Sequence, residues 1–170
     1  MATDFFKDLR HIRALVFDVD GVWTDGKLLI TDDGAELRRL DVKDGYAAVK
    51  ATKELMKIVI ISARPSEGLA TRFQALGVQD VFLNERNKEA RLEQYLMDKG
   101  LKQSEVLAMG DDWPDYDMLK LSGIATCPAD AAPDIAEICD FQSNYPGGQG
   151  CVRDIIERVL RVQGLWHQSA

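Results

Sequence analysis

Cysteine is scarce in this sequence, with only Cys127, Cys139 and Cys151 among 170 residues. The three are widely spaced and form no CxxC pair, which fits reduced thiols in a cytoplasm better than a disulfide framework or a zinc site. No apolar run approaches the roughly 18 residues of a membrane span. Residues 1–13 also lack the long apolar core of a signal peptide. We therefore expect a soluble, cytoplasmic protein.

Clusters of basic residues are also missing. The chain carries 21 basic and 28 acidic residues, for a formal charge of -7. This charge repels nucleic acid and anionic lipid, so neither nucleic acid nor a membrane is an expected partner. An acidic protein that handles a phosphate needs a local counter-charge, and a divalent metal ion is the usual one.

Histidine is rare as well. His11 and His167 lie near the two ends of the sequence, and neither belongs to a motif, which disfavours chemistry that depends on histidine. The sequence contains no G-x-S-x-G motif, which is typical of serine hydrolases. The stretches around Gly110 and 147–150 do not form a Walker loop.

The remaining pattern is ordinary for a globular protein and fits a single domain over residues 1–170, with 46% hydrophobic and 29% charged residues. Short apolar runs predict strands at Ala14–Phe17, Ile58–Ile61, Asp80–Leu83, Val106–Met109 and Ile124–Thr126. Segments with helical spacing predict helices at Tyr46–Met56, Glu67–Leu76, Lys88–Lys99, Pro114–Leu121, Pro133–Ile138 and Val152–Leu165, the last followed by a frayed tail. Gly77 and Gly100 stand where helices end, and Pro114 and Pro133 where helices begin. The alternation predicts an α/β fold with a doubly wound parallel sheet.

One segment departs from this alternation. Residues 27–42 read as two short apolar runs around Asp32-Asp33-Gly34, and an Asp-Gly pair between such runs is typical of a β-hairpin. A two-stranded ribbon is marginal in water by itself, so we expect this one to pack against something, either covering a site or joining subunits.

Acidic residues follow two of the predicted strands. Asp18 and Asp20 come directly after Ala14–Phe17, and Gly21 lets the chain turn sharply there. Asp111, Asp112 and Asp115 follow Val106–Met109. Ligands of open parallel sheets bind at the carboxyl ends of the strands, so these groups converge if the two strands are neighbours. Several carboxylates in one place repel one another without a cation, and all-oxygen ligation suits Mg²⁺.

Two further strand ends carry groups suited to phosphate. Ser62 and Arg64 follow Ile58–Ile61 and offer a hydroxyl and a guanidinium. Lys88 opens a helix shortly after Asp80–Leu83, where an ammonium and the helix amino end both favour an anion. The four strand ends together supply the groups that phosphoryl transfer requires.

In these features the chain resembles the haloacid dehalogenase superfamily of phosphatases. Asp18-x-Asp20, Ser62, Lys88 and Gly110-Asp111-Asp112-x-x-Asp115 are similar to its four motifs, in order, over nearly the whole chain. The resemblance implies that Asp18 is the nucleophile and that Asp20 is the general acid and base. It also implies Mg²⁺ held by Asp18, the Asp20 carbonyl and Asp111, with Asp112 and Asp115 in supporting positions and Asp115 orienting Lys88 or a metal-bound water.

The chain resembles one branch of that superfamily further, the phosphatases of 3-deoxy-2-ulosonic acid phosphates. The residues concerned are Asp18–Gly26, Lys43–Tyr46, Ser62–Arg64, Gly110–Asp112 and Gly147–Arg153. This implies a substrate such as 3-deoxy-D-manno-octulosonate (KDO) 8-phosphate of lipopolysaccharide synthesis, bound by Ser62, Arg64, Lys88 and Thr24. It also implies no separate cap domain and a homotetramer whose hairpins help to complete the sites.

Other interpretations stay open at this stage. A sister group acting on KDN 9-phosphate shares DGVWTDG but typically has Glu at the position of Arg64. A phosphate-signalling receiver domain has a similar fold, yet its phosphorylated aspartate would follow the middle strand, which here ends at Leu83-Asn84. A non-enzymatic scaffold is disfavoured by the complete motif set. Asp112 is also compatible with a helix N-cap, and residues 147–150 with either a simple loop or a strap over the substrate.

Overall fold

A computed structural model of the protein describes residues 9–167. Its eight strands are β1 (Ala14–Phe17), β2 (Leu29–Ile30), β3 (Glu36–Leu37), β4 (Lys57–Ile61), β5 (Asp80–Phe82), β6 (Val106–Met109), β7 (Ile124–Cys127) and β8 (Phe141–Gln142). Six of them form a parallel sheet in the order β5-β4-β1-β6-β7-β8, and β2 and β3 form a separate antiparallel hairpin.

The helices lie between the strands. They are α1 (Val42–Lys53), α2 (Glu67–Ala75), α3 (Lys88–Lys99), α4 (Tyr116–Leu121), α5 (Pro133–Ile138) and α6 (Cys151–Val162), with short 3-10 turns at Leu9–His11, Gln103–Glu105 and Trp113–Asp115. The predicted α/β fold with a parallel sheet is confirmed.

Both faces of the sheet are covered. In β1, Leu15 and Phe17 belong to a core shared with α1, α2 and α6, whereas Ala14 and Val16 belong to a second core shared with α3, α4 and α5. Side chains alternate along a strand, so a strand buried on both faces has to be apolar at every position. This is why the central strands appeared in the sequence as continuous apolar runs.

The strand order places the change of winding direction beside β1. The chain moves from β1 outward to β4 and β5, and then returns to the opposite side of β1 as β6. In open parallel sheets the ligand crevice lies at such a switch point, outside the carboxyl ends of the strands. The residues that follow β1 and β6 therefore stand at the expected site.

Several element boundaries differ from the predictions. The first helix begins at Val42 instead of Tyr46, because the Asp41 side chain caps it by accepting a hydrogen bond from the Lys43 amide, 2.6 Å away. The predicted Pro114–Leu121 helix is a 3-10 turn followed by α4. Strand β8 was missed, since two residues are too few to show a period. Helix α3 has its predicted bounds, and Gly100 caps its carboxyl end.

We predicted a frayed tail after the last helix, but the described residues that follow α6 are ordered against the core. The helix ends at Val162, and Leu165 and Trp166 pack against the core. Residues 168–170 lie outside the described part, as do residues 1–8, which make up most of the segment examined for a signal peptide. Between residues 9 and 167, no helix is both long enough and apolar enough to cross a membrane.

The hairpin is present within residues 27–42, as predicted. Leu29 lies opposite Leu37, and Gly34 takes a left-handed conformation (φ +84°) in the turn between the strands. Leu29, Ile30 and Leu37 are 65%, 58% and 49% exposed. The hairpin therefore exposes apolar side chains on the protein surface.

Candidate active site

The loop after β1 is a tight turn that places Asp18 and Asp20. The Val19 carbonyl accepts hydrogen bonds from the amides of Val22, Trp23 and Thr24, at 3.2, 2.9 and 3.1 Å. Asp18 is nearly buried, and its amide donates to the Met109 carbonyl of β6, 3.1 Å away. This bond fastens the loop to the neighbouring strand, from whose end the second acidic group extends.

Gly21 is required in this loop for two reasons. Its φ of +93° is rarely adopted by residues with a side chain, and a Cβ at this position would lie 2.0 Å from Oδ2 of Asp111. The absence of a side chain thus lets the Asp111 carboxylate approach the loop that carries Asp18 and Asp20.

Lys88 joins the acidic groups from the start of α3. Its Nζ donates to Oδ1 of Asp18 at 2.6 Å and to Oδ1 of Asp115 at 2.5 Å. The Lys88 side chain is only 4% exposed. Burial disfavours its charged form, but the carboxylates of Asp18 and Asp115 outweigh burial and raise the Lys88 pKa. Lys88 is therefore a buried, charged residue at the centre of the site.

Asp111 and Asp115 complete the acidic cluster. Oδ2 of Asp115 accepts a hydrogen bond from the Asp111 amide at 3.0 Å. Burial, together with the charges of Asp115, Asp18 and Asp112, raises the pKa of Asp111 to about 8. The pKa of Asp18 is also raised, because burial and Asp115 outweigh the attraction of Lys88. The cluster thus holds more negative charge than its single lysine balances.

This excess of buried negative charge is what a divalent cation would offset. Oxygen atoms of Asp18, Asp111 and Asp115 lie within 4.8 Å of one another, the only such group among residues 9–167. Carboxylate oxygens in this number and spacing are the ligands that Mg²⁺ prefers. The residues present therefore fit a magnesium ion.

A cavity of about 320 Å³ opens over this cluster. Its lining includes the side chains predicted for metal, nucleophile and phosphate: Asp18, Asp20, Ser62, Arg64, Lys88, Asp111, Asp112 and Asp115. Ser62 is buried, and its hydroxyl accepts a hydrogen bond from the Arg64 amide at 3.4 Å. The Arg64 side chain is 53% exposed at the mouth of the cavity.

Thr24 was predicted to touch the phosphate or substrate, but the structure does not place it in the cavity lining. The residue is fully buried, and its Oγ1 accepts hydrogen bonds from the amides of Gly21 and Gly26, both at 3.2 Å. The hydroxyl is thus used inside the loop. A short polar side chain in a loop can stabilise a turn as well as bind a ligand, and the sequence does not distinguish the two.

Asp112 acts as an N-cap in the structure, as one interpretation of the sequence held. Its Oδ1 accepts a hydrogen bond from the Trp113 amide at 2.8 Å, at the start of the 3-10 turn. The carboxylate also borders the cavity, so a supporting position near the metal site stays a prediction.

The glycine loop at 147–150 does not line this cavity, so the structure does not place it as a strap over the substrate. It packs against the back of the β1 loop instead, where the Gly148 amide donates to the Val22 carbonyl at 2.9 Å. The loop leads into α6, whose Arg153 amide donates to Oδ1 of Asp44 at 2.8 Å. Asp44 thus connects Lys43–Tyr46 with Gly147–Arg153, two of the segments that carry the family resemblance.

Two residues that the sequence analysis missed also reach the site. Arg38, which follows β3, donates from Nε to Oδ1 of Asp20 at 2.7 Å and from Nη2 to Oδ2 of Asp20 at 3.2 Å. Glu36 accepts hydrogen bonds from Arg38 at 3.3 Å and from Arg64 at 3.1 Å. The hairpin had been noted for its apolar residues, and the only available signal was that charged residues flank the apolar Leu37 on both sides, Glu36 before it and Arg38 after it.

Known proteins that resemble this chain define its family. Residues 77–153 match a family model for haloacid dehalogenase-like hydrolases. Over 154 residues the chain is 30% identical to 3-deoxy-D-manno-octulosonate 8-phosphate phosphatase KdsC of Salmonella typhimurium, a match that covers 91% of this chain and 82% of that protein. The chain belongs to the haloacid dehalogenase-like hydrolase family.

Solved structures show the same likeness. A hypothetical protein from Xanthomonas campestris has a TM-score of 0.93 and 33% identity, covering 96% of this chain and 89% of that one. The cobalt-bound form of a deoxy-D-mannose-octulosonate 8-phosphate phosphatase from Haemophilus influenzae has a TM-score of 0.89 and 27% identity, covering 94% and 93%.

Proposed function

We propose that this protein is a Mg²⁺-dependent phosphatase that releases phosphate from KDO 8-phosphate, with residues 1–170 acting as a single domain. The observation that carries the proposal is the convergence of Asp18, Asp20, Lys88 and Asp111 around one cavity at the carboxyl ends of β1 and β6. Similarity to relatives that act on KDO 8-phosphate supports the choice of substrate.

The metal site uses groups already gathered in the cavity. Asp18, the main-chain carbonyl of Asp20 and Asp111 would hold Mg²⁺, which supplies positive charge beside the phosphate and lowers the repulsion between the carboxylates. Both oxygens of Asp115 accept hydrogen bonds, one from Lys88 and one from the Asp111 amide, which supports a positioning role for this residue. The cobalt-bound relative supports a divalent ion at such a site.

Asp18 acts as the nucleophile. A carboxylate oxygen of Asp18 attacks phosphorus, the bond between phosphorus and the sugar oxygen breaks, and an aspartyl phosphate forms. Lys88, 2.6 Å from Asp18, holds the attacking group in place and offsets the charge on the transferred phosphoryl. Water then attacks the aspartyl phosphate and releases inorganic phosphate.

Asp20 moves the proton in both halves of the reaction. It gives a proton to the leaving sugar oxygen in the first half and takes one from the attacking water in the second, so the enzyme ends unchanged. The Ser62 hydroxyl would bind a phosphate oxygen and the half-exposed Arg64 guanidinium the carboxylate of the sugar acid, which their presence in the cavity lining supports.

The test is phosphate release from three substrates, each with Mg²⁺ and with a chelator. KDO 8-phosphate should be hydrolysed best, 4-nitrophenyl phosphate more slowly, and neither after the metal is removed. Preference for KDN 9-phosphate would move the enzyme to the sister group. If phosphate is released from none of the three substrates with Mg²⁺ present, the proposed enzyme activity is wrong and the non-enzymatic scaffold is favoured.

We also propose a cytoplasmic homotetramer joined through the hairpin. The exposed Leu29, Ile30 and Leu37 form an apolar strip that contact with other subunits would bury. The cytoplasmic location is supported by the three cysteines, all of which are free thiols.

A further inference from the structure

The two arginines beside the cavity differ in how they are held. The Arg38 side chain is 6% exposed, and its donors are directed at two carboxylates, Asp20 and Glu36. Arg64 is 53% exposed, its Nε lies 3.9 Å from Oδ2 of Asp20, and its Nη1 pairs with Oε1 of Glu36 at 3.1 Å at the mouth of the cavity. Arg64 is thus accessible to a substrate, whereas Arg38 is committed to protein groups.

The contact of Arg38 with Asp20 has a specific geometry. Nε and Nη2 each donate to a different oxygen of the same carboxylate, at 2.7 and 3.2 Å. Such a two-point contact fixes both the position and the plane of a carboxylate, which a single ammonium does not do. Nη2 also donates to Oε2 of Glu36 at 3.3 Å, so Arg38 itself has little freedom to rotate.

We propose that Arg38 is a positioning residue for Asp20, holding the carboxyl group in the orientation from which it transfers a proton to the leaving oxygen. The proposal rests on the function proposed above. Asp20 lies in a loop and its side chain is 28% exposed, so packing alone does not fix its orientation. Proton transfer requires the donor within hydrogen-bond reach of the leaving oxygen, and a misplacement of about 1 Å costs up to about 100-fold in rate.

The choice of leaving group distinguishes a residue that positions Asp20 from one that binds the substrate or only holds the hairpin. When the phosphorus–oxygen bond of a sugar phosphate breaks, the alkoxide needs a proton from Asp20. A 4-nitrophenolate leaves without one, so its release depends little on a general acid. A residue that acts through Asp20 therefore affects the sugar phosphate far more than the aryl phosphate.

The experiment compares Arg38→Gln with wild type on KDO 8-phosphate and 4-nitrophenyl phosphate. We expect kcat/KM to fall about 10- to 100-fold on the sugar phosphate and less than about threefold on the aryl phosphate. Arg38→Lys, which keeps the charge but donates to one oxygen at a time, should fall between wild type and Arg38→Gln, and it carries the test if Arg38→Gln does not fold. Arg39→Gln is the matched control, because Arg39 is 88% exposed and pairs with Asp25 instead.

A double-mutant comparison completes the test. In an Asp20→Asn background, Arg38→Gln should cause no further loss on the sugar phosphate, because the group that it positions no longer transfers a proton. Equal losses of kcat/KM on both substrates, or an additional loss in the Asp20→Asn background, would overturn the proposal. Arg38 would then either bind the substrate or only hold the hairpin in place. Wild-type activity on the sugar phosphate, measured in the same assay, tests the proposed function separately.

Discussion

Asp18 illustrates how a residue can be costly for stability and yet, as the proposed nucleophile, be required for activity. Its carboxylate is buried beside Asp115, and both effects raise its pKa. Asp18→Asn should abolish turnover, since an amide does not attack phosphorus, while leaving the melting temperature unchanged or higher because one repelling charge is removed. Phosphate release and thermal unfolding measure the two effects. Asp117→Asn, at an exposed position, is the control that should keep full activity.

A fully active Asp18→Asn enzyme would remove the proposed nucleophile. Asp20→Asn should lose about 10²–10⁴-fold on a sugar phosphate, the usual contribution of a general acid–base group. A smaller loss, with the same dependence on pH as wild type, would assign the proton transfer to another residue.

Asp44 is the residue at which pH should act on stability. It is completely buried, burial raises its pKa to about 6, and among residues 9–167 nothing donates a hydrogen bond to its Oδ2. A raised carboxyl pKa means that the folded state retains a proton which the unfolded state releases. The contribution of Asp44 to stability is therefore greatest below about pH 4 and is lost as pH rises through about 6.

Asp44→Asn tests this dependence. Between about pH 4 and pH 7, the unfolding free energy of wild type relative to the variant should fall by about 2–3 kcal/mol. Urea unfolding of both proteins across this range measures it, with Asp117→Asn as a control whose difference from wild type should stay flat. A constant difference between wild type and Asp44→Asn would show that Asp44 does not titrate in this way.

At the scale of elements, the glycine loop at residues 147–150 packs against the loop that follows β1. A Cβ on Gly147 would lie 2.0 Å from the Gly21 carbonyl oxygen and 2.8 Å from that of Thr24. These are backbone atoms, so they can yield only if the loop bearing Asp18 and Asp20 moves. The glycine loop and the helix that follows it thus help to define the positions of Asp18 and Asp20.

Gly147→Ala should therefore lower both stability and activity. We expect a loss of about 1–3 kcal/mol in unfolding free energy, as for other overpacked sites, together with a lower kcat. Gly68→Ala in α2 is a matched control, because the atom nearest to its added Cβ is 4.0 Å away, and this variant should be unchanged or slightly more stable. Wild-type stability and kcat in Gly147→Ala would show that the two loops are not rigidly packed.

For the whole molecule, the exposed strip on the hairpin predicts assembly. Leu29→Lys should shift the protein towards smaller species in sedimentation velocity, because a charged side chain would have to be buried at the proposed contact. Met97→Lys changes an equally apolar residue, 70% exposed on α3, and should leave the assembly unchanged. A wild-type protein that is monomeric and fully active when dilute would contradict a site shared between subunits.

The elements that could be predicted were those with a local signal. The central strands β1 and β6 have their predicted bounds, because strands buried on both faces are apolar at every position. Strand β8, with two residues, and the start of α1, set by the Asp41 cap, have weaker local signals and were missed. The convergence of Asp18, Ser62, Lys88 and Asp111 on one cavity could be predicted because each residue follows a strand.

Sequence alone determined the parallel α/β fold and the strand ends at which the polar groups stand, since periodicity and strand-end position are properties of neighbouring residues. Only the tertiary structure decided which distant groups meet. Arg38 contacts Asp20 across 18 positions and Asp44 accepts a hydrogen bond from Arg153 across 109, and no local period encodes either contact. It likewise turned the Thr24 hydroxyl inward, because burial depends on how the loop folds against its neighbours.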